Sequence, residues 1–278
     1  MNRILVSKIV LWIALALPSL YLASIVAEGG GTGTRAQTIL ELSGVWSMWL
    51  LIAVLAIRPA RELFRAAVLI RFRRMVGLFA AYYATVHTIA YVVANDYDWL
   101  FILVEIAEHP FLSTGTLALI LLVPLVATST DGMVRRLGGR RWRNLQRIVY
   151  GVLIVAVLHY ILSVRLSPSE PIMQAGLLGW LLHYRFIVYL RRRRGRPPAM
   201  GPATLAWTGA AWTVMTGALE LLFFKVNTTI SLSAVLGSYL HPVSGLRPAT
   251  VVGIVAMALV AAKWGHGRIQ FRRTAQPS

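Results

Sequence analysis

"RNLQRIVYGVLIVAVLHYIL" (residues 143–162) begins with basic and amide side chains, continues through an apolar run and carries His159 near its far end. Such a run approaches the length of about 20 mostly apolar residues that a helix needs to cross a bilayer. A histidine inside it is costly and needs a partner. The stretch therefore predicts a membrane helix and leaves two interpretations of the histidine: a ligand or proton site, or an imidazole hydrogen-bonded to a neighbouring helix.

The composition places the whole chain in the membrane class. Of 278 residues, 57% are hydrophobic and 14% are charged, and the mean hydropathy is +0.66. The net charge of +18 would suggest nucleic acid in a soluble protein, but here the arginines lie in short blocks between apolar runs, so we expect membrane lipid and no nucleic acid as a partner. There is no cysteine, which excludes disulfides and thiolate-ligated metals.

The apolar runs and the basic blocks predict the same topology. Eight apolar runs are present, at 9–27, 39–57, 75–94, 111–128, 147–164, 172–190, 203–224 and 248–263. Arginines concentrate between alternate runs, with six in 58–74, six in 135–147 and five in 191–196, whereas the 95–110 loop has four acidic residues and no lysine or arginine. By the positive-inside rule, we predict a multi-pass protein of a bacterial inner membrane with both termini in the cytoplasm.

The first apolar run has a second interpretation. A basic start, an apolar middle and small residues near Ala27 are also the outline of a cleaved signal peptide. Because the run is longer than a typical signal core, we favour a retained membrane anchor.

Two of the six histidines are predicted to lie at the same depth. His87 lies thirteen residues after Arg74, and His159 lies thirteen residues after Gln146, so each is about 20 Å along its helix from the basic end. Two imidazoles on separate helices, in a chain without cysteine, are what axial coordination of a haem iron from both sides needs. In a transporter, the same histidines would form a proton or substrate path.

Three segments carry a resemblance to a known family. They are "RRMVGLFAAYYATVHTIAY", "TSTDGMVRRLGGRRW" with the spaced histidine after it, and "SPSEPIMQAGLLGWLLHYRF". Over about residues 40–190 the chain resembles the MsrQ (YedZ) family of haem-binding membrane subunits, within the ferric-reductase-like transmembrane superfamily. The resemblance implies an all-α, polytopic transmembrane bundle with a six-helix haem-binding core. We expect a membrane anchor with an external loop at 1–38, the ferric-reductase-like haem-binding region at 39–196, and an extension with two further spans at 197–278.

The resemblance also implies a function. Members are b-type cytochromes that pass electrons from a cytoplasmic flavin reductase, or from quinol, to the periplasmic molybdopterin methionine sulfoxide reductase MsrP, which repairs oxidised envelope proteins. It implies one or two b haems and a possible FMN. The nearest alternatives are a related cytochrome b that reduces another acceptor such as ferric iron, a proton-coupled transporter and a structural scaffold. No nucleotide-binding or hydrolase motif is present, so we expect an electron-transfer subunit.

Residue by residue, His87 and His159 match the haem ligands on the third and fifth helices of the family. Gln146 departs from the pattern, because the family has a histidine there, which puts a second haem in doubt. His183 is the candidate replacement, although a hydrogen bond between helices is the favoured interpretation of this residue.

The remaining polar residues have weaker signals. Haem propionates or a flavin phosphate have five candidate contacts, which are Arg73, Arg74, Arg140, Arg141 and Gln146. The positive-inside rule, which keeps basic residues on the cytoplasmic side, is enough to explain most of the arginines. His109, His241 and His266 are expected to be solvated or locally bonded. The acidic, apolar loop at 95–110 predicts an amphipathic surface helix that docks a partner or only connects two spans. Glu220 is interpreted as an interfacial residue or as a polar group of a quinone site.

Overall fold

The computed structural model describes residues 3–27, 32–164, 167–197, 200–240 and 245–274, and these residues are almost entirely helical. The helices are α1 (Arg3–Ala27), α2 (Thr32–Phe64), α3 (Arg73–Ala94), α4 (Trp99–Glu108), α5 (Pro110–Ala127), α6 (Asp131–Leu137), α7 (Gly139–Leu145), α8 (Val149–Ser163), α9 (Ser169–Arg193), α10 (Pro202–Asn227), α11 (Leu232–Leu240) and α12 (Pro248–Thr274). Short 3₁₀ helices occupy Ala67–Phe72 and Gln146–Ile148.

The predicted polytopic helical bundle is confirmed. A long helix occurs at each of the eight predicted positions. Within the described residues, seven helices are long and apolar enough to cross a bilayer, and α9 is not among them. The helix α9 has 25 residues, but His183, Arg185 and a basic last turn lower its mean hydropathy. The chain is therefore a multi-pass membrane protein, and the orientation of its termini stays a prediction.

The chain divides into two compact units. The first unit comprises Met1–Val54 and Ile70–Ser163, and the second unit comprises Leu55–Leu69 and Val164–Ser278. The three-part division expected from the sequence stays a prediction.

Buried hydrogen bonds join the helices of the first unit. Ser47 on α2 donates to the carbonyl of Ala80 on α3 at 2.9 Å. The hydroxyl of Tyr83, which is fully buried on α3, donates to the carbonyl of Leu15 at 2.7 Å and bonds Ser19 on α1. Each of these polar groups has a partner inside the protein, which the absence of water in a bilayer requires.

Glycines allow close packing of α9, α10 and α12 in the second unit. A Cβ atom at Gly179 would lie 2.1 Å from the ring of Trp212, and one at Gly209 would lie 2.6 Å from the Cβ of Ala256. Small residues at such contacts are the usual means by which membrane helices approach each other closely. The indole of Trp180 also donates to Thr208 at 3.1 Å, so α9 is an integral part of this unit.

Candidate functional site

The first unit brings His87 and His159 into ring contact. His87 lies on α3 and His159 on α8, and their ring centroids are 6.2 Å apart with an angle of 83° between the ring planes. Both side chains are partly buried. The structure therefore places the two histidines together, which agrees with their predicted common depth.

Each of the two imidazoles is oriented by a backbone carbonyl. The Nδ1 of His87 bonds the carbonyl oxygen of Leu40 on α2 at 2.8 Å, and the Nδ1 of His159 bonds that of Phe111 on α5 at 2.6 Å. A carbonyl can only accept, so the proton of each neutral ring is assigned to Nδ1. The lone pair of Nε2 then remains free to bind a metal, which is the arrangement that orients most metal-binding histidines.

A glycine lies four residues after each residue that provides one of these carbonyls, Gly44 after Leu40 and Gly115 after Phe111. A Cβ atom at Gly44 would lie 2.8 Å from the ring of His87, and one at Gly115 would lie 2.8 Å from the ring of His159. Residues four apart share a face of a helix. The same arrangement thus occurs on α2 and on α5: a carbonyl and a glycine one turn apart contact one histidine ring.

The spacing of the rings fits one metal ion bound between them. An imidazole nitrogen binds such a metal at about 2 Å and lies about 1 Å from its own ring centre, so rings on opposite sides of one metal have centroids about 6 Å apart. No group of three or more His, Cys, Asp or Glu side chains in the described part of the chain could hold a metal. A metal at this pair would need its other ligands from elsewhere, and a haem macrocycle supplies four.

Gln146 interacts with the end of α5. Its Nε2 donates to the carbonyl of Leu125 and to the hydroxyl of Thr128, each at 3.2 Å, and the indole of Trp142 donates to the carbonyl of Thr128 at 2.9 Å. The last carbonyls of a helix lack hydrogen-bond donors within the helix, and the side chains of Gln146 and Trp142 supply such donors here. Gln146 therefore caps α5, and its role as a cofactor contact stays a prediction.

His183 has the opposite hydrogen-bonding role to the histidine pair. On α9 in the second unit, its Nδ1 accepts a hydrogen bond from the indole of Trp212 on α10 at 3.0 Å. The proton of the neutral ring then lies on Nε2, so neither nitrogen offers a free lone pair. This geometry favours the bond between helices over iron ligation, which stays an untested prediction.

The candidate arginines lie at the start of α3 and in α7. Arg74 forms an ion pair with Asp131 on α6 at 2.7 Å, and Arg140 and Arg141 are exposed. An exposed pair of this kind contributes little to stability, about 0–1 kcal/mol. The sequence interpretation missed Asp131, although it is the one acid among the basic residues of this loop. The roles of Arg73, Arg74, Arg140 and Arg141 as cofactor contacts stay predictions.

A second set of rings continues from His159 toward the start of α5. The ring of Phe111 stacks on that of His159 with centroids 6.5 Å apart and 26° between planes, and the ring of His109 lies 5.8 Å from Phe111. The Nδ1 of His109 is 3.4 Å from a carboxylate oxygen of Glu105 at the end of α4. The predictions of a helix in this loop and of a locally bonded His109 are thus confirmed, whereas the position of the helix on the outer membrane surface stays a prediction.

Two other histidines cannot be placed in this way. His241 lies outside the described residues, and so does the side chain of His266 on α12.

Comparisons with known proteins agree with this architecture. Residues 43–157 match the model of a family described as the ferric reductase like transmembrane component. The matched range contains His87 and ends two residues before His159. The protein-methionine-sulfoxide reductase heme-binding subunit MsrQ of Rhodospirillum rubrum is 40% identical over 200 residues, which cover 71% of this chain and 96% of that protein.

The chain belongs to the MsrQ family. The MsrQ proteins of Xanthomonas campestris pv. campestris and Xanthomonas axonopodis pv. citri are 41% and 39% identical over 183 and 186 residues, which cover 64% of this chain and 84% and 85% of those proteins. No solved structure matches the chain.

Proposed function

We propose that this member of the MsrQ family is the haem-binding membrane subunit of a methionine sulfoxide reductase system. His87 and His159 are its axial haem ligands in this proposal. The observation that carries the proposal is the ring pair at 6.2 Å, in which each Nδ1 is bonded to a carbonyl and each Nε2 is free. The names of the relatives in Rhodospirillum and Xanthomonas, which describe heme-binding subunits, support it.

The residues around the pair prepare it for electron transfer. When bound, a b-type haem supplies a one-electron redox centre. The carbonyls of Leu40 and Phe111 hold the imidazoles in a fixed tautomer, and the hydrogen bonds that they accept make each Nε2 a better donor to a metal. Gly44 and Gly115 provide the space in which the rings lie. Fixed ligands reduce the rearrangement that accompanies a change of charge.

The proposal includes one haem rather than two. Gln146 is a poor iron ligand and already caps α5, and His183 already accepts a bond from Trp212. With both termini in the cytoplasm, the arginine-rich ends of α3 and α7 face the electron donor, a flavin reductase with FMN or quinol. The acceptor is the periplasmic molybdopterin subunit.

The test is a reduced-minus-oxidised optical spectrum of detergent-purified protein, with a haem-to-protein ratio. We expect a b-type spectrum and a ratio near one in the wild type, because the described residues bring one pair of imidazoles with free Nε2 atoms together, those of His87 and His159. His87→Ala and His159→Ala should each lose the spectrum, whereas His183→Ala should retain it. A folded wild-type protein without haem would overturn the proposal and favour a transporter. A ratio near two that falls to one in His183→Ala would overturn the single haem.

The acceptor is tested separately. The dithionite-reduced protein is mixed with a purified molybdopterin methionine sulfoxide reductase and methionine sulfoxide, or with ferric citrate alone. We expect oxidation of the haem by the first mixture at a rate well above that with ferric citrate. Faster oxidation by ferric citrate would favour a ferric-iron reductase.

A further inference from the structure

A continuous series of four rings leads from the histidine pair to the surface of the first unit. The rings are those of His87, His159, Phe111 and His109, and successive centroids are 6.2, 6.5 and 5.8 Å apart. The side chain of His109 is 44% exposed. The series therefore has one end at the proposed metal ligands and the other end in contact with the surroundings of the protein.

Phe111 is held against His159 in two ways. Its backbone carbonyl accepts the Nδ1–H of His159, and its own ring stacks on the same imidazole. Since the carbonyl that orients the ligand and the ring that contacts it belong to one residue, the stacked geometry is coupled to the geometry of ligation.

His109 is fixed at the junction of α4 and α5. It is the residue immediately before α5, and its Nδ1 lies 3.3 Å from the carbonyl and 3.4 Å from the carboxylate of Glu105. With the topology predicted from the arginines, this junction faces the periplasm. A soluble protein on that side can approach His109 without entering the membrane.

We propose that Phe111 and His109 form the route by which electrons leave the haem site for the periplasmic acceptor. This inference rests on the proposed ligation of haem by His87 and His159. One electron passes from the iron to the oxidised metallocofactor of a soluble reductase, so the iron is oxidised by one electron and the acceptor is reduced by one. No covalent bond forms or breaks, and no proton moves. Electronic coupling falls steeply with the gap that an electron must cross, and rings in contact shorten that gap.

The absence of cysteine allows a site-specific test. Glu108→Cys, next to His109, is labelled with a ruthenium tris-bipyridine maleimide, and flash photolysis measures electron transfer between the label and the haem. In the matched control, the same label is placed at Arg136→Cys, which is exposed on α6 at the predicted cytoplasmic side. Each labelled protein is compared with and without Phe111→Leu, a change that retains the backbone carbonyl.

With the label at residue 108, we expect Phe111→Leu to slow the transfer by about tenfold, because the smaller side chain leaves a gap in the series. With the label at residue 136, the rate should not change. Phe111→Tyr restores the ring and should restore the rate. His109→Leu should slow the transfer with the label at residue 108 and leave the rate with the label at residue 136 unchanged.

Spectra separate the failure of this inference from the failure of the proposed function. An unchanged haem ratio with equal rates in wild type and Phe111→Leu would overturn the route and leave haem binding intact. Equal slowing from both labels would also overturn it, because the change would then act on the haem itself. If Phe111→Leu loses haem, the route is tested with His109→Leu instead, since His109 makes no bond to either ligand in this proposal. Equal transfer rates from residue 108 in wild type and His109→Leu would then overturn the route. A wild type without haem overturns the proposed function itself.

Discussion

Polar residues in the membrane-spanning helices have different hydrogen-bonding patterns in the two units. In the first unit, His87 and His159 each bond a carbonyl through Nδ1 and keep Nε2 free. In the second unit, His183 accepts from an indole, and Glu220 has partners on both carboxylate oxygens. A polar group whose bonding capacity is used within the protein stabilises the bundle, whereas a group with a free lone pair beside a second such group can bind a ligand.

The largest effect is expected at the glycines of the first unit. A Cβ at Gly44 or Gly115 would lie 2.8 Å from a histidine ring, closer than real Cβ contacts, so the ring must move. We expect Gly44→Ala and Gly115→Ala to reduce the haem-to-protein ratio by about tenfold or more, because misoriented ligands lose metal affinity. The measurement is the pyridine haemochrome assay on purified protein.

Gly151→Ala is the matched control for these glycines. A Cβ there would lie 4.0 Å from Leu121, an ordinary contact, so the haem ratio should stay at the wild-type value. Full haem content in Gly115→Ala would mean that the ring is not held where the structure places it.

The second effect concerns the buried acid of the second unit. Glu220 is fully buried on α10, its Oε1 lies 3.2 Å from Arg247, and its other oxygen accepts from the hydroxyl of Tyr239 on α11. Burial, followed by the bond to Glu220, raises the pKa of Tyr239, so its hydroxyl keeps the proton that it donates. The carboxylate thus connects α11 and the start of α12 to α10.

Removal of this carboxylate should destabilise the second unit and leave haem binding unchanged. We expect Glu220→Leu to lower the free energy of unfolding by about 3 kcal/mol, because the guanidinium and the phenol lose their partner. Urea unfolding followed by fluorescence in mild detergent checks the stability, and the optical spectrum checks the haem. Glu41→Gln, an exposed acid on α2, should change neither. Loss of haem in Glu220→Leu would contradict the separation of roles between the two units.

The sequence predicts the histidine pair well because a helix has a fixed rise. Thirteen residues from a basic end determine the depth of His87 and of His159 without any knowledge of their neighbours. The carbonyls of Leu40 and Phe111 were not predictable, since every residue carries the same group and only packing selects one. The partner of Glu220 was missed for a similar reason, because Arg247 follows a loop whose path the sequence does not determine.

The smallest effect tests the contrast between the histidines directly. Trp212→Phe removes the indole that donates to His183, and hydrogen bonds between membrane helices contribute about 0.6 kcal/mol on average. We expect a loss of about 1 kcal/mol in stability, since the smaller ring also packs less well beside Gly179. Trp207→Phe, the same change at a residue of α10 that is 79% exposed, should have no effect on unfolding. Because His183 serves only this bond in the proposed function, the haem ratio should be unchanged in both variants, and a lower ratio in Trp212→Phe alone would show that the indole positions a haem ligand.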